Sequence, residues 1–380
     1  MLQYLTTSLI ALFEPLRETW LWPGLVEVGK FLGTHLISGM VPAFFIAGAI
    51  AIFLDKQRIT KLMGTRANPL IAYPVAAFSG GILTVCSCGV IPIFTGILQQ
   101  GAGIGPAFTF LMASPAVNLI ALSYTYTLLG SKFMLWRGLL VMASAISIGV
   151  SMKLICGEHE QPAETPNVVM VEEESERTDS QLLIFFMMLL FITFTATGVF
   201  DSYIYAGAEK AGVTGLLLPR LLAIVTEIGI LAALTLKWFE KYEIILWLRK
   251  SKDLFILIFP KVVGGIFLCG LLAVMFPLVN FMKFFDSNAF SGNFVASVMG
   301  SMMYFGTIVG VTIVSTLRDF GMNSGPAMTL LLSGPAVSLP SILALAPIVG
   351  KKKAAIFLAL VIVFSALSGY IFGMTFEKPM

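Results

Sequence analysis

Charged residues are scarce in this chain. Asp, Glu, Lys and Arg make up 12% of its 380 residues, whereas apolar residues make up 57%, and the mean hydropathy is +0.92. A soluble domain carries about a quarter charged residues, so the composition excludes that class. The sequence predicts an all-α protein that crosses a lipid bilayer many times.

Several other features are sparse or missing. Four cysteines in the whole chain do not make a disulfide framework. The net charge of +3 is small and spread over loops, which gives no support for nucleic-acid binding. Residues 1–24 lack the basic region of a signal peptide, and no ATP-binding motif is present. We expect no metal site and no cofactor, and we expect transport to be secondary.

Apolar segments long enough to cross about 30 Å of hydrocarbon occur about ten times. They predict a polytopic protein of about ten transmembrane helices, expected in a bacterial inner membrane, with a weaker eleventh segment at 3–22. The ten segments are 31–54, 70–100, 105–129, 133–152, 182–200, 214–236, 254–279, 293–317, 325–348 and 354–374.

The chain contains an internal repeat with one constant offset, the separation of Gly101 from Gly321. Ten identities recur without a gap between 101–119 and 321–339, and Gly80 and Gly130 match Gly300 and Gly350 at the same offset. Their glycines and prolines predict broken or re-entrant helices. Paired interrupted segments in the two halves of a membrane protein indicate the solute site of a transporter.

The repeat divides the chain into four regions. They are a first membrane half (1–153), an acidic flexible linker (154–181), an extra span (182–220) and a second membrane half (221–380).

The relative direction of the two copies depends on how many spans separate them. An even number of spans gives parallel repeats, and one span fewer gives inverted repeats. The basic loop residues fall on both sides, so the sequence leaves the membrane orientation open, as it does the oligomeric state.

The first copy carries a pair of thiols that the second copy lacks. In Cys86-Ser87-Cys88-Gly89 the two thiols would point about 200° apart on a regular helix, so they need a bend to share a ligand. Gly89 and Pro92 provide for one, since Pro92 clashes with the carbonyl group of Cys88. Thiolates favour soft centres such as Cu(I), zinc or trivalent arsenic. Alternatively, these cysteines serve only as small apolar packing residues.

Two proline-centred segments form the second candidate. Residues 114–118 (Ser-Pro-Ala-Val-Asn) align with 334–338 (Gly-Pro-Ala-Val-Ser). Each proline removes one helix hydrogen bond, and two such breaks that face each other would form a polar pocket at mid-depth. The alternative is a pair of kinked helices whose polar side chains satisfy their own backbone. The predicted solute contacts here are Ser114, Pro115, Asn118, Gly334, Pro335 and Ser338.

Other candidates are single residues or turns. Glycine-rich turns precede both segments, with predicted hairpin tips at Gly101, Gly105, Gly321 and Gly325. Glu227 is the lone carboxylate well inside a predicted span, and it is a candidate for carrying a coupling proton. The alternative for Glu227 is an ion pair with Arg220 or Lys261. Cys269 adds a third thiol if its helix faces the site.

These motifs resemble those of one known family. The sequence is similar to the predicted permeases that include the organoarsenical efflux permeases (ArsP-like), and the resemblance covers roughly 31–153 and 254–373. The residues that carry it are Gly80, Gly81, Cys86 to Gly89, Pro92, Gly101, Gly105, Phe110, Leu111, Ser114, Pro115, Asn118, and the second-half run from Gly325 to Pro340.

The resemblance implies export of trivalent methylated or aromatic arsenicals, although most of the family has no known substrate. Cys86 and Cys88 would then fill the two exchangeable positions of a mono-organyl arsenical. Two other hypotheses stay open at this point. One is a permease for a sulfur-containing anion or small organic molecule, with structural cysteines. The other is a membrane thiol–disulfide oxidoreductase; we expect a permease and not an enzyme.

Overall fold

The computed structural model describes residues 21–32, 40–53, 56–65, 67–82, 87, 89–117, 119–157, 179–197, 217–275, 282–303 and 307–376. The described residues form α-helices and contain no β-strand. Numbered over that part of the chain, the helices are α1 (Trp22–Phe31), α2 (Val41–Phe53), α3 (Lys56–Met63), α4 (Pro69–Ile82), α5 (Val90–Gln99), α6 (Ile104–Ala116), α7 (Leu119–Leu129), α8 (Ser131–Cys156), α9 (Asp179–Thr197), α10 (Leu217–Trp238), α11 (Lys241–Met275), α12 (Met282–Phe285), α13 (Phe290–Met302), α14 (Thr307–Asp319), α15 (Ser324–Ala336), α16 (Leu339–Val349) and α17 (Lys351–Phe376).

Within that part of the chain, three helices are long and apolar enough to cross a membrane. They are α8, α17 and the Lys241–Leu272 stretch of α11. Two further pairs, α6–α7 and α15–α16, each bend by 46° at a short break, and the number of spans rises to five if each pair counts as one. The all-helical class is therefore confirmed, while about ten transmembrane helices stays a prediction.

Each half of the protein has a tightly packed three-helix centre. In the first half α6 packs between α4 and α8, and in the second half α15 packs between α13 and α17. Glycines allow these contacts. A Cβ atom on Gly149 of α8 would collide with the Thr109 hydroxyl group and lie 2.6 Å from the Gly105 carbonyl oxygen. Small residues at such crossings let helix backbones approach closely.

The helix boundaries recur at the offset seen in the sequence. Every boundary of α6, α7 and α8 is displaced by that one offset from the matching boundary of α15, α16 and α17, respectively. The turn glycines correspond too: φ is 90° at Gly101 and 99° at Gly321, and it is 88° at Gly130 and 92° at Gly350. These four positions favour glycine because other residues rarely adopt positive φ.

Two of the corresponding helices lie against each other in opposite directions. Phe133, near the start of α8, stacks edge-on against Phe372 and Phe376 near the end of α17, with ring centroids 4.8 and 5.4 Å away. Further along α8, the Ser144 hydroxyl oxygen lies 2.9 Å from that of Ser368. Residue numbers rise along one helix as they fall along the other, so α8 and α17 are antiparallel.

The long helix α11 connects further helices to α16, a member of one bent pair. The long helix α11 packs against α1, α2 and α16, and α9 packs against α2 and α10. The Trp247 indole N–H of α11 donates to the Phe45 carbonyl oxygen of α2 at 2.8 Å. Gly265 of α11 permits close approach to α16, since a Cβ atom there would lie 2.9 Å from the Pro340 Cβ atom.

Candidate solute site

Both proline-centred segments end in a helix break. Pro115 and Pro335 lie inside the last turn of α6 and α15, and each helix continues for one more residue. The chain then leaves the helical conformation at Val117 (φ −127°, ψ 61°) and becomes extended at Val337 (φ −142°, ψ 131°). The break follows the proline rather than coinciding with it, because proline lacks only its own N–H group and disrupts the turn that precedes it.

The two broken helices contact each other in the middle of the protein. Helix α6 packs against α15, and the side chains of Ser114 and Ser338 are both fully buried. The Ser338 and Ser341 hydroxyl oxygens are 2.9 Å apart at the start of α16. Asn118, the amide predicted to line this site, lies outside the described residues.

Cys86 and Cys88 also lie outside the described residues, whereas Ser87 and the chain from Gly89 onward are described. Ser87, between the two cysteines in sequence, is buried, and Gly89 directly precedes α5. Pro92 is buried in the first turn of that helix. Helix α5 contacts both α6 and α16, so the helix that follows the cysteines touches one helix of each bent pair.

Cys269 is buried on α11 near the corresponding interruption of the second half. Its thiol group lies 3.1 Å from the carbonyl oxygen of Met302, the last residue of α13. Met302 is the counterpart of Ile82 at the repeat offset, and Ile82 ends the helix before the cysteine segment. Gly265, one turn earlier on α11, abuts Pro340. The third thiol therefore faces the inside of the protein.

The predicted hairpin tips occupy two kinds of position. Gly101 and Gly321 lie in the turns before α6 and α15. Gly105 and Gly325 lie inside the first turn of those helices, where a Cβ atom would collide with the Tyr73 hydroxyl group or the Asn288 amide oxygen, respectively. The second pair of glycines therefore serves helix packing.

Glu227 is buried between α10 and α9. Its Oε1 atom accepts a hydrogen bond from the Thr195 hydroxyl group at 2.8 Å, and its Oε2 atom has no hydrogen-bond partner within the described residues. Helix α9 carries no charged residue between 180 and 197. Among the described side chains, no Lys, Arg or His forms a salt bridge with Glu227. Its role as a proton carrier stays a prediction.

Replacing Glu227 with Gln tests that role. The amide can still accept from Thr195 but cannot release a proton, so we expect transport that no longer depends on pH. The measurement is solute flux in proteoliposomes across a range of external pH. Thr195→Val is the companion variant, expected to shift the pH profile and not to flatten it. A Glu227→Gln profile that matches the wild type would make the residue structural.

A polar cluster in the second half is not among the motifs that the sequence predicts as a site. The Asn293 side-chain oxygen accepts from the Thr329 hydroxyl group at 2.8 Å. The hydroxyl groups of Ser297 and Ser365 are buried without a hydrogen-bond partner in the described part of the chain. A comparison of the aligned copies could have found this cluster. The second half has Asn293, Ser297 and Ser365 where the first half has Tyr73, Ala77 and Ala145, respectively.

Arg137 is likewise not among the predicted site residues. It is the only charged residue between 133 and 152, and an ionisable residue inside an apolar segment marks a functional candidate. Its side chain is 0% exposed. Nη1 donates to the Thr125 hydroxyl oxygen of α7 at 2.7 Å, while Nε and Nη2 have no hydrogen-bond partner among the described residues.

Comparisons with known proteins agree on one family. The model of a predicted permease family (ArsP_1) matches residues 26–374. The chain is 37% identical to the UPF0718 protein MJ0584 of Methanocaldococcus jannaschii over 345 residues, which cover 90% of this chain and 93% of that protein. It is 30% identical to the UPF0718 protein YcgR of Bacillus subtilis over 107 residues, 28% of this chain and 36% of that protein.

No solved structure matches the chain. The family model nevertheless spans both bent helix pairs, the cysteine segment and the long helices α8, α11 and α17. A multi-pass membrane protein with a transport role follows from the family and from the apolar helices together. The chain belongs to the predicted permease family.

Proposed function

We propose that this protein is a secondary permease that exports a soft, thiophilic solute, such as a trivalent organoarsenical, through a site between its two bent helix pairs. The observation that carries the proposal is the matched pair of breaks. Helix pairs α6–α7 and α15–α16 bend by the same 46°, and α6 contacts α15. Discontinuous helices that meet in this way are typical of solute sites in secondary transporters.

The two halves are, on this proposal, inverted copies of one structural unit. The equal offset of the helix boundaries supports a duplication. The antiparallel contact of α8 with its counterpart α17 supports inversion. Helix α14 corresponds to α5, because its last residue, Asp319, aligns with Gln99, the last residue of α5. A two-fold axis between the halves requires that a contact of α14 with α7 be matched by one of α5 with α16, and both pairs of helices do pack together. Inverted repeats allow alternating access by rocking one unit against the other.

Backbone groups at the breaks give the site its polarity. Pro115 and Pro335 have no N–H group, so the carbonyl groups of Leu111 and Leu331 lose their usual helix donors. Irregular backbone at membrane depth is tolerated where protein or a wet cavity satisfies it. We place the wet cavity of the open state at these two breaks, with Ser114, Gly334 and Ser338 along its wall.

The thiols provide selectivity for the solute. Cys86 and Cys88 precede α5, which touches a helix of each bent pair. Two thiolates can replace both exchangeable ligands of a mono-organyl trivalent arsenical, and thiol exchange then permits release. Cys269 is the candidate third thiol because its helix packs on α16 and its Sγ atom faces inward.

Resistance in a bacterium that lacks arsenical efflux systems tests the proposal. We expect the wild-type chain to raise the concentration of a trivalent phenylarsenical that halves growth, and to lower the cell-associated arsenic in the same cultures. An empty vector and an arsenite arm are the controls, since arsenite lacks the organic group. No protection, with the protein present in the membrane, would contradict this substrate and favour the permease for another small solute.

A further inference from the structure

Two nitrogen atoms of the buried Arg137 guanidinium group, Nε and Nη2, have no hydrogen-bond partner among the described residues. Within the described part of the chain, the one hydrogen bond of the group runs from Nη1 to Thr125, and no described carboxylate forms an ion pair with the side chain. A buried charge without a partner is strongly unfavourable in a membrane protein. An anion next to the guanidinium group would remove this cost, and the described residues of the chain do not provide one.

Each of these two nitrogen atoms directs one N–H bond to the same edge of the guanidinium plane. In arginine, the Nε–H and Nη2–H bonds point the same way, and they match the two oxygens of a carboxylate or of an oxoacid. Thr125 holds the opposite side of the group. Its own hydroxyl donates to the Ala121 carbonyl oxygen at 2.6 Å, which leaves its lone pairs for Arg137 and fixes the free edge in one orientation.

Helix packing does not require this polar pair. In the second half, the counterparts of Thr125 and Arg137 at the repeat offset are Leu345 and Phe357. Both are buried, and the Phe357 ring packs 4.9 Å from that of Phe108 between centroids. Helices α16 and α17 pack against each other with these two apolar residues at the positions where α7 and α8 carry Thr125 and Arg137.

We propose that the Nε–Nη2 edge of Arg137 binds the oxyanionic group, a carboxylate or an oxoacid, of a small solute. Thr125 lies on α7, the helix after the first break, so the bound anion is next to the first bent helix pair. The inference rests on the proposed permease function but not on the cysteines. It adds an acidic group to the description of the solute.

The test is anion-dependent thermal stability of the purified full-length protein in detergent. The probes are acetate, benzoate, inorganic phosphate and sulfate, each compared with chloride at equal ionic strength. We expect a saturable rise in Tm with at least one oxyanion, and no such rise for Arg137→Gln. Arg137→Lys keeps the charge but cannot form the two parallel bonds, so its half-saturating concentration should rise about tenfold or more. Arg249→Gln, an exposed arginine on α11, is the matched control and should respond like the wild type.

Three outcomes would overturn the proposal. The first is a rise in Tm with an oxyanion that is the same for Arg137→Gln as for the wild type. If Arg137→Gln does not fold, the same rise for Arg137→Lys as for the wild type has this meaning. The second is the absence of any rise with the four probes. The third is a rise that depends on Arg137 only with phosphatidylglycerol added to delipidated protein, which would assign the site to a lipid headgroup. Binding without arsenical resistance would refute the soft-solute export function while leaving this site in place.

Discussion

Replacing Cys86 or Cys88 with serine is expected to reduce resistance to a trivalent phenylarsenical to the level of the empty vector. A hydroxyl group is a hard ligand and does not substitute for a thiolate at arsenic. One remaining thiol fills only one of the two exchangeable positions, so each single variant should lose nearly the whole effect. The measurement is the half-inhibitory concentration in an efflux-deficient bacterium, with membrane abundance determined by immunoblot.

Two further cysteines make the experiment selective. Cys156→Ser changes the last residue of α8, far in sequence from both breaks, and should retain full resistance. Cys269→Ser should give partial loss if the third thiol completes the site. Full resistance of both the Cys86 and Cys88 variants at wild-type abundance would remove the thiols from the solute site. The same result would leave the bent helix pairs as the site of another solute.

Gly149→Leu is expected to prevent assembly of the first half. A Cβ atom at this position would collide with the Thr109 hydroxyl group and would lie 2.6 Å from the Gly105 carbonyl oxygen and 3.1 Å from Tyr73 Cε1. The Gly105 carbonyl group is part of the α6 backbone and cannot rotate aside as a side chain can. Helix α8 must therefore move away from α6. Overpacking costs about 1–3 kcal/mol in ordinary cores and occasionally more, and we expect the upper end or beyond.

Gly138→Leu on the same helix is the matched control. A Cβ atom on Gly138 meets no atom within 4 Å, so the control adds the same side chain to open space. We expect wild-type yield and Tm for Gly138→Leu in detergent, with aggregation or a Tm lowered by many degrees for Gly149→Leu. Gly369→Leu should behave like Gly149→Leu, since a Cβ atom there collides with the Thr329 hydroxyl group. Similar yields and Tm values for Gly149→Leu and Gly138→Leu would show that the close crossing does not limit stability.

The structure places the interruptions of the chain near the residues that suggested them. The glycines and prolines of 101–119 and 321–339 predict broken helices, and α6 and α15 do end beside Pro115 and Pro335. The chain reversal at Gly101 and Gly321 follows from local chemistry, because a glycine at positive φ acts on its own neighbours. Such features depend on residues close in sequence and are therefore readable from it.

Arg137 shows where that kind of reasoning stops. Its position in an apolar segment is visible in the sequence, but whether it faces lipid, water or a partner is not. Only the packing of α7 and α8 shows that one of its nitrogen atoms is hydrogen-bonded and that the other two have no partner in the described ranges. For Glu227, the sequence suggested partners, and the structure describes a different contact. The sequence offered Arg220 and Lys261 as partners, whereas the described contact is a neutral hydroxyl group, Thr195, on α9.

The sequence by itself determined that this protein is helical and belongs in a bilayer, since long apolar segments can satisfy their backbone there only as helices. It also determined the constant offset at which its glycines and prolines recur, and the turn glycines Gly101 and Gly321. The tertiary structure decided that α8 and α17 run antiparallel, that α6 meets α15, and that Cys269 and Arg137 point inward. These properties depend on contacts between residues far apart in the chain, and the pattern along one helix does not specify which helix will cover it.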